Sequence, residues 1–150
     1  MWRGDLDEAV ERLTDARNRL TDLRFADLTP QLVSRELQLA VLLGRSTPQL
    51  FESTADQLGN QPSFVSQLAR CRAAVQYDNG DTAGAYATLV NDVADPLRVG
   101  YERALTFHAL AEMFPGDHAA GEWRSESAAL LADLGVVRVP PLRPTDLGNR

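Results

Sequence analysis

Apolar residues recur along the chain at steps of three and four, the spacing of a helix that buries one face. Leu6, Val10, Leu13, Leu20 and Leu23 form the first stripe and predict a helix over about 6–24, with Asp5 as N-cap and Glu8 three residues later. Thr29-Pro30 starts a second helix, which carries Leu32, Val33, Leu37, Ala40 and Val41 and stops at Gly44. Thr47-Pro48 starts a short third one, to about Leu58. After Gly59-Asn60-Gln61-Pro62, the stripe Phe64, Val65, Leu68, Cys71, Ala74 and Val75 predicts a fourth helix to about Tyr77. Asn79-Gly80-Asp81 is a turn before a fifth helix over about 82–93. Asp95-Pro96 is expected to cap a sixth over about 96–113. Pro115-Gly116-Asp117 precedes a seventh over about 118–134 that ends at Gly135. The tail 136–150 holds Pro140, Pro141 and Pro144 and is expected to run extended, with Val136 to Val139 packed back over the last helices.

Seven helices joined by short turns predict an all-α chain: a helical domain over 1–135 and an extended tail over 136–150. The turns are spaced regularly. Gly4, Gly44, Gly80 and Gly116 are each expected to close an inter-helix turn, at separations of 40, 36 and 36. Three of them stand in Gly-Asp pairs, where the Gly lets the chain leave one helix and the Asp caps the next. A helix–turn–helix unit recurring every 34 to 40 residues or so marks a helical solenoid. The pattern resembles tetratricopeptide (TPR) repeats, in which a small residue follows the turn Gly by five positions and a large one by nine. Gly4 is followed in this way by Ala9 and Leu13, and Gly80 by Ala85 and Leu89; Gln49 and Ser53 after Gly44, and Gly121 and Ser125 after Gly116, depart from it. The resemblance implies a right-handed solenoid of about seven helices in antiparallel pairs.

A narrower similarity lies in Tyr101-Glu102-Arg103-Ala104-Leu105-Thr106, in Ala109-Leu110-Ala111, and in the run from Leu130 to Pro140. These look like the closing repeat of large bacterial ATP-dependent transcriptional regulators and cyclase-domain signalling proteins. The chain has no phosphate loop, so what the resemblance implies is only the helical-repeat end of such a protein.

Composition narrows the function. Asp and Glu outnumber Arg 21 to 15, giving a net charge of −6 and a pI near 4.8, which argues against a nucleic-acid partner. There is no Lys and no Ile, so all the basic residues are Arg, as codon usage in a high-GC genome would give. No purely apolar run is longer than five residues, Leu39–Leu43 among them, so no membrane span is expected. A single cysteine, Cys71, excludes an internal disulfide, and a cytoplasmic protein is the expectation.

The chemical candidates are few. Cys71 lies on an apolar helix face and reads as a core residue. Asp117, His118 and Glu122 together are weak as metal ligands, so no metal or cofactor is expected. Tyr77, Tyr86, Tyr101 and His108 are the candidates to line a concave groove, although packing between repeats is the favoured explanation of the tyrosines and a core or groove position that of His108. Leu6, Val10, Leu13 and Leu20 line a first helix whose repeat partner is missing, and they predict an interface, for example with a second copy in a two-fold dimer. The expected function is therefore non-enzymatic: a module binding a protein or peptide in a bacterial signalling or transcription-regulating system. A small-molecule sensor is the alternative.

Overall fold

The computed structural model describes residues 2–22, 29–46, 48–58, 61–137 and 139. Among these the chain forms helices and no strand: α1 (Trp2–Asp22), α2 (Thr29–Leu42), α3 (Pro48–Leu58), α4 (Pro62–Asp78), α5 (Thr82–Ala94), α6 (Gly100–Met113) and α7 (Ala120–Asp133). The expected all-α class is thus what the chain adopts. It divides into two compact units after Phe64, inside α4.

In the first unit α2 packs against both α1 and α3. Val33, Leu37 and Val41 form its buried stripe at four-residue spacing, and Leu42, Leu43, Phe51 and Leu58 are buried with them. Each such side chain stabilises the fold by roughly 1.5–3 kcal/mol. Two ion pairs support this core, Arg17 to Glu36 at 2.6 Å and Arg45 to Asp7 at 2.8 Å. The N-terminal expectation needs correction: α1 begins at Trp2, so Gly4 lies inside the helix and is no turn, and Asp5 is no cap. A glycine inside a helix costs only about 1 kcal/mol, and carboxylates in the first turns favour helix through its dipole.

In the second unit α6 is the central helix and packs on α5 and α7. Ala104 to Phe107, Ala109 to Ala111 and Met113 are buried, so α6 is covered almost all round. Ala85 and Leu89, the small and large residues of the repeat pattern after Gly80, are fully buried against it.

Three helices end in the same device. Gly44, Gly80 and Gly135 take φ of +64°, +86° and +68°. At each, the glycine N–H and the next N–H donate back to carbonyls of the last turn; at Gly80 these are Tyr77 at 3.0 Å and, from Asp81, Gln76 at 2.8 Å. This is the Schellman arrangement. Asp81 then caps α5, accepting the Gly84 N–H at 2.9 Å, as the sequence predicts.

Gly116 departs from the expected pattern. Its φ is not left-handed, because α6 ends at Phe114 and the Asp117 N–H closes a β-turn onto the Phe114 carbonyl at 3.1 Å. Asp117 accepts the Ala119 N–H at 2.8 Å, so α7 starts at Ala120 and not at His118. The start of α6 also shifts, from the expected Pro96 to Gly100. The Asp95 carboxylate accepts the Leu97 N–H at 2.9 Å and pairs with Arg98 at 3.1 Å, and the Arg98 N–H donates to the Asp95 carbonyl at 3.0 Å, so residues 95–98 form a turn and Val99 is extended before the helix. In the segment expected to cover the last helices, Val136 and Val139 are half-buried and Val137 is fully exposed, so Val137 covers nothing. Residues 138 and 140–150 lie outside the described residues.

Candidate functional site

The groove candidates separate into two pairs, both in the second unit. Tyr77 and Tyr86 meet the Phe114 ring edge-on, at 5.6 and 5.1 Å between centroids, and Tyr86 also lies 6.1 Å from Trp123. Both tyrosines pack on the buried core, which accounts for them as packing residues. Tyr101 and His108 are seven residues apart on α6 and share one of its faces; Tyr101 is exposed and His108 half-buried.

The same unit holds a buried polar network that the sequence reading overlooked. The guanidinium of Arg70 donates to the Glu102 carboxylate at 2.6 Å, to the Glu102 carbonyl at 3.1 Å and to the Thr106 hydroxyl at 3.1 Å. That hydroxyl donates in turn to Asp92 at 2.8 Å. Ser66 donates to the other oxygen of Asp92 at 3.0 Å, and Arg98 pairs with it at 3.4 Å. Two ion pairs are thus joined through one hydroxyl, which ties α4, α5 and α6 together, while Arg98 Nε is buried without a hydrogen bond among the described residues. The signal was present in the sequence: Asp92 falls three residues after Leu89 on an apolar face, where an unpaired carboxylate would not be tolerated.

Cys71 is buried, and loss of hydration pushes its thiol up to about 11, against a smaller lowering by Arg70. It is a neutral core thiol at pH 7. His118 is exposed and sits 3.1 Å from Asp117. Among the described residues no group of three His, Cys, Asp or Glu side chains is placed to hold a metal ion, and no helix is long and apolar enough to cross a membrane.

A cleft lies in the first unit. It is a half-open cleft of about 290 Å³ over α2, between α1 and α3. Val10, Thr14 and Arg17 face it from α1, and Val33, Glu36, Leu37 and Ala40 from α2. Leu50, Ser53, Thr54 and Gln57 face it from α3. Each set repeats at three and four residues, so each is a single helix face. Of the N-terminal interface candidates, Val10 lines this cleft, Leu13 is half-buried, and the side chains of Leu6 and Leu20 lie outside the described residues.

The cleft carries one charged pair. Glu36 Oε2 accepts from Arg17 at 2.6 Å. Glu36 Oε1 is buried and receives no hydrogen bond among the described residues. Ser53 donates its hydroxyl proton to the Leu50 carbonyl at 3.0 Å, which leaves its oxygen as an acceptor. Sequence reasoning missed Glu36, Ser53 and Gln57 as site residues. Their signal is polar side chains at positions where the helix period calls for apolar ones. Comparison of the chain with protein-family models, with curated proteins and with solved structures finds no match, so the reading of this cleft rests on its own residues.

Proposed function

We propose that the protein is a non-enzymatic helical-repeat module that binds a peptide segment of another protein, as the regulatory or scaffolding part of a bacterial signalling or transcription-regulating system. The carrying observation is the first-unit cleft, where three helix faces bring apolar walls and hydrogen-bonding side chains to one half-open depression. A bound peptide needs both, apolar surface for a side chain and polar partners that fix its orientation. The TPR-like reading supports this: Gly44 and Gly80 close their helices with the same device 36 residues apart. A neutral, buried Cys71 supports a non-enzymatic role.

A small-molecule sensor is the second reading, favoured by the cleft's size, since about 290 Å³ is close to the small end of ligand pockets, roughly 300 Å³. Selection of a displayed random peptide library on the intact chain tests the proposal. Enriched peptides are expected to bind the wild type and to lose about tenfold or more with Leu50→Glu at the cleft mouth, but not with Tyr101→Ala. If no peptide is enriched, or if Leu50→Glu binds the enriched peptides as well as the wild type does, peptide binding at this cleft is refuted. Sedimentation of the chain over a concentration series separates an α1 edge that pairs with a second copy from one that serves another partner.

A further inference from the structure

We propose that Asn79 is a site of spontaneous covalent modification, converting to aspartate and isoaspartate through a succinimide, and that the glycine turn closing α4 sets the rate. Asn79-Gly80 is the single Asn-Gly pair of the chain. The chemistry is intramolecular. The Gly80 nitrogen gives up its proton and attacks Asn79 Cγ. A new C–N bond closes the succinimide ring, and the side-chain nitrogen leaves as ammonia. Water then opens the ring at either carbonyl. One opening gives aspartate, and the other gives isoaspartate, in which the main chain runs through Cβ. Water is the only co-reactant.

Access favours the reaction at this pair. Asn79 and Gly80 are both exposed. Gly80 has no side chain to screen its nitrogen, and even an added Cβ there would meet nothing within 4 Å. Asn18 and Asn91 are exposed too, but each lies inside a helix and is followed by a residue with a screening side chain, Arg19 and Asp92.

The turn holds the reaction back. The Gly80 N–H, whose proton must leave, donates to the Tyr77 carbonyl at 3.0 Å, and the Asp81 N–H donates to the Gln76 carbonyl at 2.8 Å. The N–H of Asn79 itself donates to the Val75 carbonyl at 3.1 Å and ties the residue to the helix end. Attack needs these bonds to open. An exposed helix end opens more readily than the core, because few buried contacts break with it. Once formed, the products resist reclosure. A carboxylate at position 79 stands at the negative end of the α4 dipole, between exposed Asp78 and Asp81. Isoaspartate lengthens the main chain by a methylene, so the Gly80 and Asp81 N–H groups no longer both reach their carbonyls. Gln76 also accepts from the Thr88 hydroxyl at 2.9 Å, so the loosened turn is the one that joins α4 to α5.

The test incubates the intact chain at neutral pH, folded and in guanidinium chloride, and follows residue 79 by peptide mapping with mass spectrometry. Labelling by an isoaspartyl methyltransferase is the second readout. Aspartate and isoaspartate are expected at position 79 in both samples, about tenfold more slowly in the folded one, while Asn91 stays intact there. Asn79→Gln abolishes the labelling of the folded chain, because glutamine must close a larger, slower ring. Asp81→Ala removes the bond to the Gly84 N–H and leaves the Asn-Gly pair in place. It is expected to speed both deuterium exchange at the Gly80 N–H and modification of Asn79. Equal rates in the two samples, or faster Gly80 exchange in Asp81→Ala without faster modification, overturn control by the turn. Asn79 unchanged in the folded chain when the unfolded sample has gone to completion overturns the site itself.

Discussion

Thr106→Val isolates the hydroxyl on which the second-unit network turns. Thr106 is fully buried, and valine has nearly its shape, so the substitution opens no cavity. It removes the bond that Arg70 donates at 3.1 Å and the one that Asp92 accepts at 2.8 Å. Arg70 keeps both of its bonds to Glu102, and Asp92 Oδ1 keeps Ser66 and Arg98. The orphan is Asp92 Oδ2, a charged oxygen on a side chain only 4% exposed. Hydrogen bonds to charged groups contribute about 1.5–3 kcal/mol each, and valine recovers only part of this by burying a methyl, so a net loss of about 2–3 kcal/mol is expected. In a chain of this length that lowers Tm by about 4–12 °C. Thr106→Ser keeps the hydroxyl and loses one methyl, about 1 kcal/mol. Urea unfolding followed by circular dichroism, with Trp123 fluorescence as a second probe, measures both variants. Thr106→Val as stable as Thr106→Ser would show that the hydroxyl does not couple the two ion pairs and would refute the network argument.

Gly80→Ala should cost about 1 kcal/mol because φ is +86°, whereas Gly116→Ala, with ordinary φ and open space for a methyl, should stay within about 0.5 kcal/mol; equal losses at both sites would restore Gly116 as a repeat turn. Cys71 has a folded pKa of about 11 against an ordinary 9.0. Raised in the folded state, it contributes stability that is complete below pH 9 and is lost as pH climbs toward 11. The wild type should therefore lose roughly 2 kcal/mol more than Cys71→Ala over that window in denaturant titrations, and parallel pH profiles would contradict the burial of the thiol. At pH 8 a thiol reagent should label Cys71 only after denaturant is added.

Helix existence was legible because it depends on local chemistry. The period of the apolar residues, the Pro residues at the starts of α3 and α4, and the Gly-Asp pair at residues 80–81 all act within one or two turns of chain. Boundaries failed where one signal competed with another. Gly4-Asp5 has the composition of a turn, yet the residues on both sides carry the helix through it. Asp95 has the composition of a cap, yet Arg98 and the Leu97 N–H claim its carboxylate. At Gly116 a proline-led β-turn does the work that a left-handed glycine does at Gly80.

The sequence by itself determined the all-α class, most of the helix spans, the closing glycines at 44, 80 and 135, and the burial of Cys71. Each follows from spacing or from a residue's own conformational freedom. The joining of Arg70, Asp92 and Thr106 from three helices was decided only by the tertiary structure, as was the meeting of Tyr77 and Tyr86 at Phe114. So was the cleft, with its half-satisfied Glu36. Helix periodicity says which face a residue occupies, but not which residue of another helix stands opposite. A buried carboxylate's chemistry depends on that opposite group, 19 residues away for Glu36 and Arg17. Whether such a carboxylate ends fully paired, like Asp92, or with one buried oxygen unpaired among the described residues, like Glu36, is therefore set by packing and not by any local pattern.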